Sequence, residues 1–578
     1  MSHPESRRSI LPGLLAVAAL ALTLRALFPL ADPPWLSPIG ITWHDEGVWA
    51  HNARNRVLFG AWVLDGWNPL YVSPVFTALE FLSFSVFGVG LWQARLVSMV
   101  AGAAAAVALG AGLGAISSRR AALTGALLLA VNYTWLMYSR VALLEALMVA
   151  MLVASWWCYT RVSESWIWGP LAAMLALTAF FTKASAAFFL IALGLSSCWT
   201  LWDVSRAGPP GGDVARRRAT LGGLTTLAAL AGGTIMALVI FVIPHWGEYS
   251  YYNLFIYGAR RSQTGLTALA DRASWFPVVH QFFSRQWLLT VVALVGLAST
   301  LVAVRRASPA ERLLALWFLL GAFELVLHDL GNERRYVFLI PPMVGLTALA
   351  LDRDRLLPRS LGGWTRPPVV LRLPLIMAGA YVVTGSVSRQ FLMPDVSASV
   401  RSAAVVALAA SVLLVAMWPR CREAMASLTW SSRSRAAVVA AMVVMDATLL
   451  GHWAWHRSYK NVEASREVGR FLPPGTLVQG KLANGLALDN GIRPLFIGPG
   501  FGNYADRLQR PDAGWILTYS RPRIGYEGVV IKELLDASPG WQVVAEFPVA
   551  ETRSGDDRAV LIRKAGTPPR PVGSPQVK

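Results

Sequence analysis

The chain has 578 residues, 55% of them hydrophobic and only 15% charged, with a mean hydropathy of +0.48; a soluble domain carries about 25% charged residues, so most of this chain is excluded from being one. The formal net charge of +19 does not point to nucleic acid, because the basic residues sit in short clusters between apolar runs rather than in one polar patch. The three cysteines, Cys158, Cys198 and Cys421, offer neither zinc spacing nor a disulfide framework and read as inert thiols.

In chain order, Arg7 and Arg8 precede an apolar run from Ile10 to Leu30. It is long for a signal-peptide core and no small-x-small site follows it, so it is expected to remain as the first span. The first loop, 31–90, then carries Trp43-His44-Asp45-Glu46-Gly47-Val48-Trp49-Ala50-His51-Asn52-Ala53-Arg54-Asn55. From Glu46 on the pattern predicts a short amphipathic helix in the membrane interface, with Asp45 placed to cap its first turn. Two adjacent carboxylates with imidazoles nearby suit a general base, and their mixed N and O chemistry would also suit a divalent metal, with Asp45, Glu46 and the nearby histidines as ligands. Asp65-Gly66-Trp67-Asn68-Pro69-Leu70-Tyr71-Val72-Ser73-Pro74 follows, then an apolar run to Phe87 that is short for a span. It predicts a second re-entrant or interfacial helix, on which Glu80 is either a buried site residue or a solvated charge.

Further spans are expected at 91–116, 121–138, 141–160, 166–182, 184–202, 221–243, 286–304, 310–327, 336–351, 373–393, 401–418 and 436–456, about thirteen in all with the first. With the N-terminus cytoplasmic, each inner loop is basic: Arg119 and Arg120; Arg161; Arg206 and Arg216 to Arg218; Arg305, Arg306 and Arg312; Arg353, Arg355 and Arg359; Arg420, Arg422, Arg433 and Arg435. The outer face then receives 31–90, 244–285, 328–335 and everything after 456, and with them His44, His51, His245, His280 and His328, with His456 at the boundary of the last. Titratable and aromatic groups, including Tyr251, Tyr252 and Tyr257, thus gather on one side, as a site facing the outer compartment requires.

Residues 457–564 are more polar, with strand-like runs at Leu477–Gln479, Trp515–Thr518, Trp541–Glu546 and Val560–Arg563 and helical stretches near 461–471 and 528–537. Turn signals at Pro473-Pro474-Gly475, Asn490-Gly491 and Pro499-Gly500 punctuate them. The expected architecture is a polytopic α-helical membrane protein (1–456) with a small C-terminal α/β extracytoplasmic domain (457–564) and a disordered tail (565–578).

A first span followed by Asp45-Glu46, an interfacial helix and a proline-led second helix resembles the GT-C glycosyltransferases, and within them the protein O-mannosyltransferase and aminoarabinose transferase superfamily. Three more segments fit over residues 10–350. Tyr138-Ser139-Arg140-Val141-Ala142-Leu143-Leu144-Glu145 resembles the family's Arg-plus-acidic motif. Thr182-Lys183-Ala184-Ser185 resembles its Lys-containing turn. Glu333-Arg334-Arg335-Tyr336, with Pro341-Pro342 behind it, resembles its Arg-Tyr and Pro segment. One position departs: some members of the aminoarabinose branch place a donor-binding Lys just before the second-helix proline, where this chain has Ser73.

The resemblance implies inverting transfer of a sugar from a polyprenyl-phosphate donor to a lipid, glycan or protein acceptor, at the outer face of the inner membrane and with no nucleic-acid partner. Asp45 is the expected base, with Glu46 beside it. Arg140, Lys183, Arg260, Arg261, Arg334 and Arg335 are the expected phosphate cations. His44, Tyr71, Glu80, Glu145, Tyr257 and Tyr336 are the expected substrate contacts, and Glu145 is also placed to pair with Arg140. Three rivals stand against this reading. An outer-face ligase or polymerase would use a diphosphate-linked oligosaccharide. A transporter would show inverted repeats and midplane charges. A scaffold presenting the C-terminal domain would leave the acidic loop idle.

Overall fold

The structure, a computed structural model, describes residues 10–34, 41, 43–207, 212–251, 282–328, 333–354, 429–498, 502–520, 526–550 and 557–567. The predicted spans 373–393 and 401–418, the residues Tyr252, Tyr257, Arg260, Arg261, His280 and Cys421, and the tail beyond 567 lie outside them.

After α1 (Leu11–Ala26), the first loop folds as α2 (Asp45–Trp49), α3 (His51–Phe59) and α4 (Pro74–Phe87). The bundle continues with α5 (Leu91–Ile116), α6 (Arg119–Val131), α7 (Tyr133–Tyr138), α8 (Leu144–Tyr159), α9 (Trp168–Thr182), α10 (Ala187–Ala207), α11 (Gly212–Ala237), the short α12 (Trp246–Ser250) and α13 (Phe282–Arg285), and α14 (Trp287–Val302). α15 (Pro309–His328), α16 (Glu333–Tyr336), α17 (Ile340–Asp352) and α18 (Ser432–Trp455) complete it. Among the described residues, five helical stretches are long and apolar enough to cross a bilayer: Leu91–Ile116, Ala184–Arg206, Asp213–Val242, Glu333–Asp352 and Ser432–Phe471. Several others are apolar but shorter than the roughly 20 residues of a straight crossing. The predicted span 121–138 is two helices, broken where the Asn132 side chain accepts from the Trp135 amide and caps α7.

The bundle packs closely because α5 presents small residues. Ala101, Ala105 and Ala106 are buried, and a Cβ at Gly112 would run into the Trp156 ring. Charges inside this packing are matched by carbonyls. Arg25 donates to Ser139 Oγ at 2.9 Å and to the Ala21 carbonyl at 3.1 Å. Arg140 donates to the carbonyls of Leu24 (3.1 Å) and Phe28 (2.8 Å), with its guanidinium 4.4 Å from the Trp453 ring centroid.

The C-terminal region contains α19 (Lys460–Phe471), α20 (Lys481–Gly485), α21 (Tyr526–Asp536) and five strands: β1 (Leu477–Gln479), β2 (Arg493–Leu495), β3 (Trp515–Tyr519), β4 (Gln542–Pro548) and β5 (Arg558–Arg563). The sheet order is β2-β1-β3-β5-β4, parallel through β3 and antiparallel beyond it. Strand alternation sorts the core into two faces. Leu517, Tyr519, Ala559 and Leu561 pack with α19 and α20, while Ile516, Val560 and Ile562 pack with Val530, Ile531 and Leu534 of α21. β2 and α20 were not anticipated; both are short and flank the Asn490-Gly491 turn signal on either side.

The first loop is built into this region rather than lying free on a membrane surface. Trp43 belongs to the α19/α20 core. The predicted amphipathic helix is accordingly corrected: His51, Asn52, Arg54 and Asn55 on α3 are all buried. Arg54 donates to the carbonyls of Ala487 (3.0 Å), Asn490 (2.8 Å) and Ile492 (2.9 Å). Asp32 accepts from the Lys460 and Asn461 amides and the Ser458 hydroxyl, so it caps α19 from across the chain. A Cβ at Gly47 would lie 1.7 Å from the Asn484 carbonyl oxygen, so backbone meets backbone there and only glycine fits. Arg54→Ala should strand three carbonyls, two of them buried, at a cost of about 3 kcal/mol. Limited proteolysis in detergent is expected to release the C-terminal region from this variant first and to leave wild type intact.

Candidate active site

The Asp45 side chain does not cap its helix. The N-cap position is His44, with no side-chain cap bond, and the Asp45 carboxylate turns instead to α16. Arg334 Nη1 donates to Asp45 Oδ2 at 2.7 Å, and Arg334 Nε lies 3.3 Å from Glu145 Oε1. Lys183 donates to the same Glu145 oxygen. The result is a continuous chain Asp45–Arg334–Glu145–Lys183, assembled from α2, the α16 turn, the start of α8 and the α9–α10 turn.

Exposure within this chain is graded. The Asp45, Arg334 and Lys183 side chains are 17%, 15% and 16% exposed, while Glu145 is 2%. One carboxylate and two cations therefore face the open side, and Glu145 backs them as a buried counter-charge that holds both cations in place. Ser73, just before the proline that opens α4, donates to the Thr182 carbonyl at 2.9 Å. The turn before α4 thereby braces the Lys183 turn.

The Asp45 carboxylate is strongly held as an anion. Burial alone would raise its pKa, but Arg334, then His44 (Nε2 3.5 Å from Oδ1) and Lys481, outweigh burial and bring it down to about 2. Lys481 opens α20, so the C-terminal region contributes a charge to this cluster. No sequence pattern marked Lys481; its relevance arises from α20 packing on α2, where a Cβ at Gly485 would lie 2.6 Å from that of His44.

Other expected site residues are placed elsewhere. Glu46 faces away from the cluster: Arg95 Nε and Nη2 clamp its carboxylate at 3.0–3.1 Å, and the Ala142 amide donates to it at 3.3 Å. Arg95 also holds the Pro29 and Ala31 carbonyls at 2.8 Å, so this pair ties the first loop to α5. Arg95→Met should leave Glu46 as an uncompensated buried charge, costing about 3–5 kcal/mol, read as a lower melting temperature in detergent. The expected Arg140–Glu145 pair is not formed, since Arg140 is committed to the carbonyls of α1 and its C-terminal turn. Arg335 donates to the His328 carbonyl at 3.2 Å. Tyr71 stacks on His245 at 4.4 Å, and Tyr336 is buried against Phe282 and Phe283. Glu80 is fully buried, and its carboxylate has no hydrogen-bond partner among the described residues.

The residues considered for a metal do not converge. Glu46 is taken by Arg95, and His51 bonds Asp65 Oδ2 at 2.8 Å and the Asn484 amide at 3.1 Å. Among the described residues no three His, Cys, Asp or Glu side chains gather as ligands.

Residues 71–208 match the sequence model of the family described as dolichyl-phosphate-mannose-protein mannosyltransferase. The chain is similar in structure to ArnT from Cupriavidus metallidurans bound to undecaprenyl phosphate, at 16% identity over 100% of both chains and a TM-score of 0.54. It is likewise similar to the apo state of ArnT from Cupriavidus metallidurans, at 18% identity over 95% of this chain and 97% of that one, with a TM-score of 0.54. The archaeal oligosaccharyltransferase AglB from Archaeoglobus fulgidus is a more distant likeness, at 11% identity, 89% of this chain, 70% of that chain and a TM-score of 0.46. No curated protein sequence matches the chain.

Proposed function

This chain is a multi-pass membrane protein with the GT-C glycosyltransferase fold, and from that premise we propose that it transfers a sugar from a polyprenyl-phosphate donor to an acceptor hydroxyl. The observation that carries the reading is the Asp45–Arg334–Glu145–Lys183 chain, with its carboxylate and two cations on the open side.

In the transfer, the acceptor oxygen attacks the anomeric carbon and the bond from that carbon to the phosphate oxygen breaks. The prenyl phosphate leaves with the bonding electron pair, and the acceptor's proton passes to Asp45. Arg334 and Lys183 neutralise the charge that grows on the departing phosphate. Binding the donor phosphate offsets part of the positive field on Asp45, which raises the proton affinity of a carboxylate otherwise too acidic to be an effective base. Displacement from the face opposite the phosphate inverts the anomeric centre.

The site stands at the end of the bundle that carries the C-terminal region. Arg119, Arg120, Arg305, Arg306 and Arg353 stand at the other ends of their helices, which supports an extracytoplasmic site by the positive-inside rule. The acceptor is a hydroxyl of a lipid, glycan or protein.

Proteoliposomes given a panel of radiolabelled undecaprenyl-phosphate monosaccharides test the reading. Release of undecaprenyl phosphate coupled to labelled acceptor is the expected result. Turnover confined to diphosphate-linked oligosaccharides would instead make the chain a ligase, and flux of intact substrate without bond cleavage would make it a transporter.

A further inference from the structure

A small polar recess adjoins the cluster through Glu333, the neighbour of Arg334, and the transfer chemistry above leaves it unused. Its walls come from α7, the end of α13 and the start of α16: Tyr133, Thr134 and Tyr138 on one side, Arg285 and Glu333 on the other, with Met137 as an apolar wall. All six residues of α7 are buried. Arg285 and Glu333 pair with one another, and Arg285 also reaches Thr134 Oγ1 at 3.5 Å. The recess is therefore close to neutral.

Its two phenols are unsatisfied. Tyr133 and Tyr138 are each 2% exposed, and among the described residues neither hydroxyl has a hydrogen-bond partner. Buried polar atoms are nearly always paired, so two unpaired phenols on one recess are a standing demand for a group that both donates and accepts. The free volume is about 10 Å³, the space of one water or one hydroxyl group. Tyr138 lines this recess and lies within electrostatic reach of Glu333 and Arg285, and also of Glu145 and Arg334 of the cluster.

We propose that this recess binds one hydroxyl group of the donor sugar, with Tyr138 and Tyr133 as specificity-determining residues. The proposal rests on the glycosyl-transfer reading. The recess matches a hydroxyl in both hydrogen-bonding directions, is too small for an acetamido group and holds no unmatched charge for an ammonium. The donor is therefore a sugar with a free hydroxyl at this position and no N-acyl group there.

The test uses full-length protein in proteoliposomes. The parent donor is whichever of undecaprenyl-phosphate mannose, glucose, galactose or arabinose is transferred fastest, compared with each of its monodeoxy forms. Wild type is expected to lose about 100-fold or more in kcat/KM for one deoxy form, because a site built around a hydroxyl rejects an analogue lacking it. Tyr138→Phe is expected to cost about 10-fold on the parent and almost nothing further on that same deoxy form. Tyr133→Phe, scored the same way, keeps the test open if the Tyr138 variant fails to insert.

An equal loss on the parent and on every deoxy form would overturn the proposal, since the phenols would then serve only the fold or a trapped water. Transfer from N-acetylhexosamine donors with none from the four neutral sugars would overturn it while leaving glycosyl transfer standing. Wild type that transfers no sugar at all would overturn both.

Discussion

Asp45→Asn is expected to lower transfer by about 10²–10⁴-fold, the usual worth of a positioned general base, with the protein still inserted and folded. The amide keeps the shape of the side chain but cannot accept the acceptor's proton. It also removes the negative partner of Arg334, so donor binding should hold or tighten while kcat falls. Rates and donor KM measured side by side in proteoliposomes check both halves; activity within a few-fold of wild type would take Asp45 out of the mechanism.

The same residue sets the pH dependence. With its pKa near 2 in the free protein, the carboxylate is ionised across the working range. The stability it contributes is present above its unfolded value and is lost only as pH falls through about 2. The kcat/KM profile, which reports the free enzyme, should therefore show no acid limb from Asp45 near neutrality. The kcat profile should show that limb at higher pH than kcat/KM does, because the bound donor phosphate draws off part of the field of Arg334. Coincident limbs in the two profiles would rule out such coupling.

Arg334→Met is the second variant with a large expected effect. It removes the guanidinium that bridges Asp45 and Glu145. Loss of a cation aimed at the leaving phosphate should cost about 10²–10³-fold in kcat, and donor KM should rise as well. Arg334→Lys keeps the charge but cannot reach two carboxylates with a planar fork, so it should recover only part of the rate. Full recovery by lysine would mean that charge alone matters and the bridging geometry does not. Phosphate release and donor KM for the three proteins decide between these.

Several of these residues were legible because their chemistry is conspicuous in the sequence. Asp45, Glu145, Lys183 and Arg334 each stand in or beside apolar runs, where an isolated charge is costly and so marks a function or a partner. The same signal is present at Arg25 and Arg95, both buried among apolar helices. Arg140 carried it too, yet its partners are carbonyls at the end of α1. A charge in an apolar run announces that a partner exists without saying which one.

Local sequence carried the long apolar helices, the main strand-like runs of the polar C-terminal region and the charges in apolar surroundings, because hydrophobic runs, strand alternation and turn residues act over a few neighbours. Only the tertiary structure decided the pairings. Arg334 meets Asp45 across 289 positions and Arg54 meets the Ile492 carbonyl across 438, while Glu46, the immediate neighbour of Asp45, turns away to Arg95. The physical reason is that a buried charge must be matched wherever the packed chain allows. That choice depends on which helix faces meet, which no local pattern encodes.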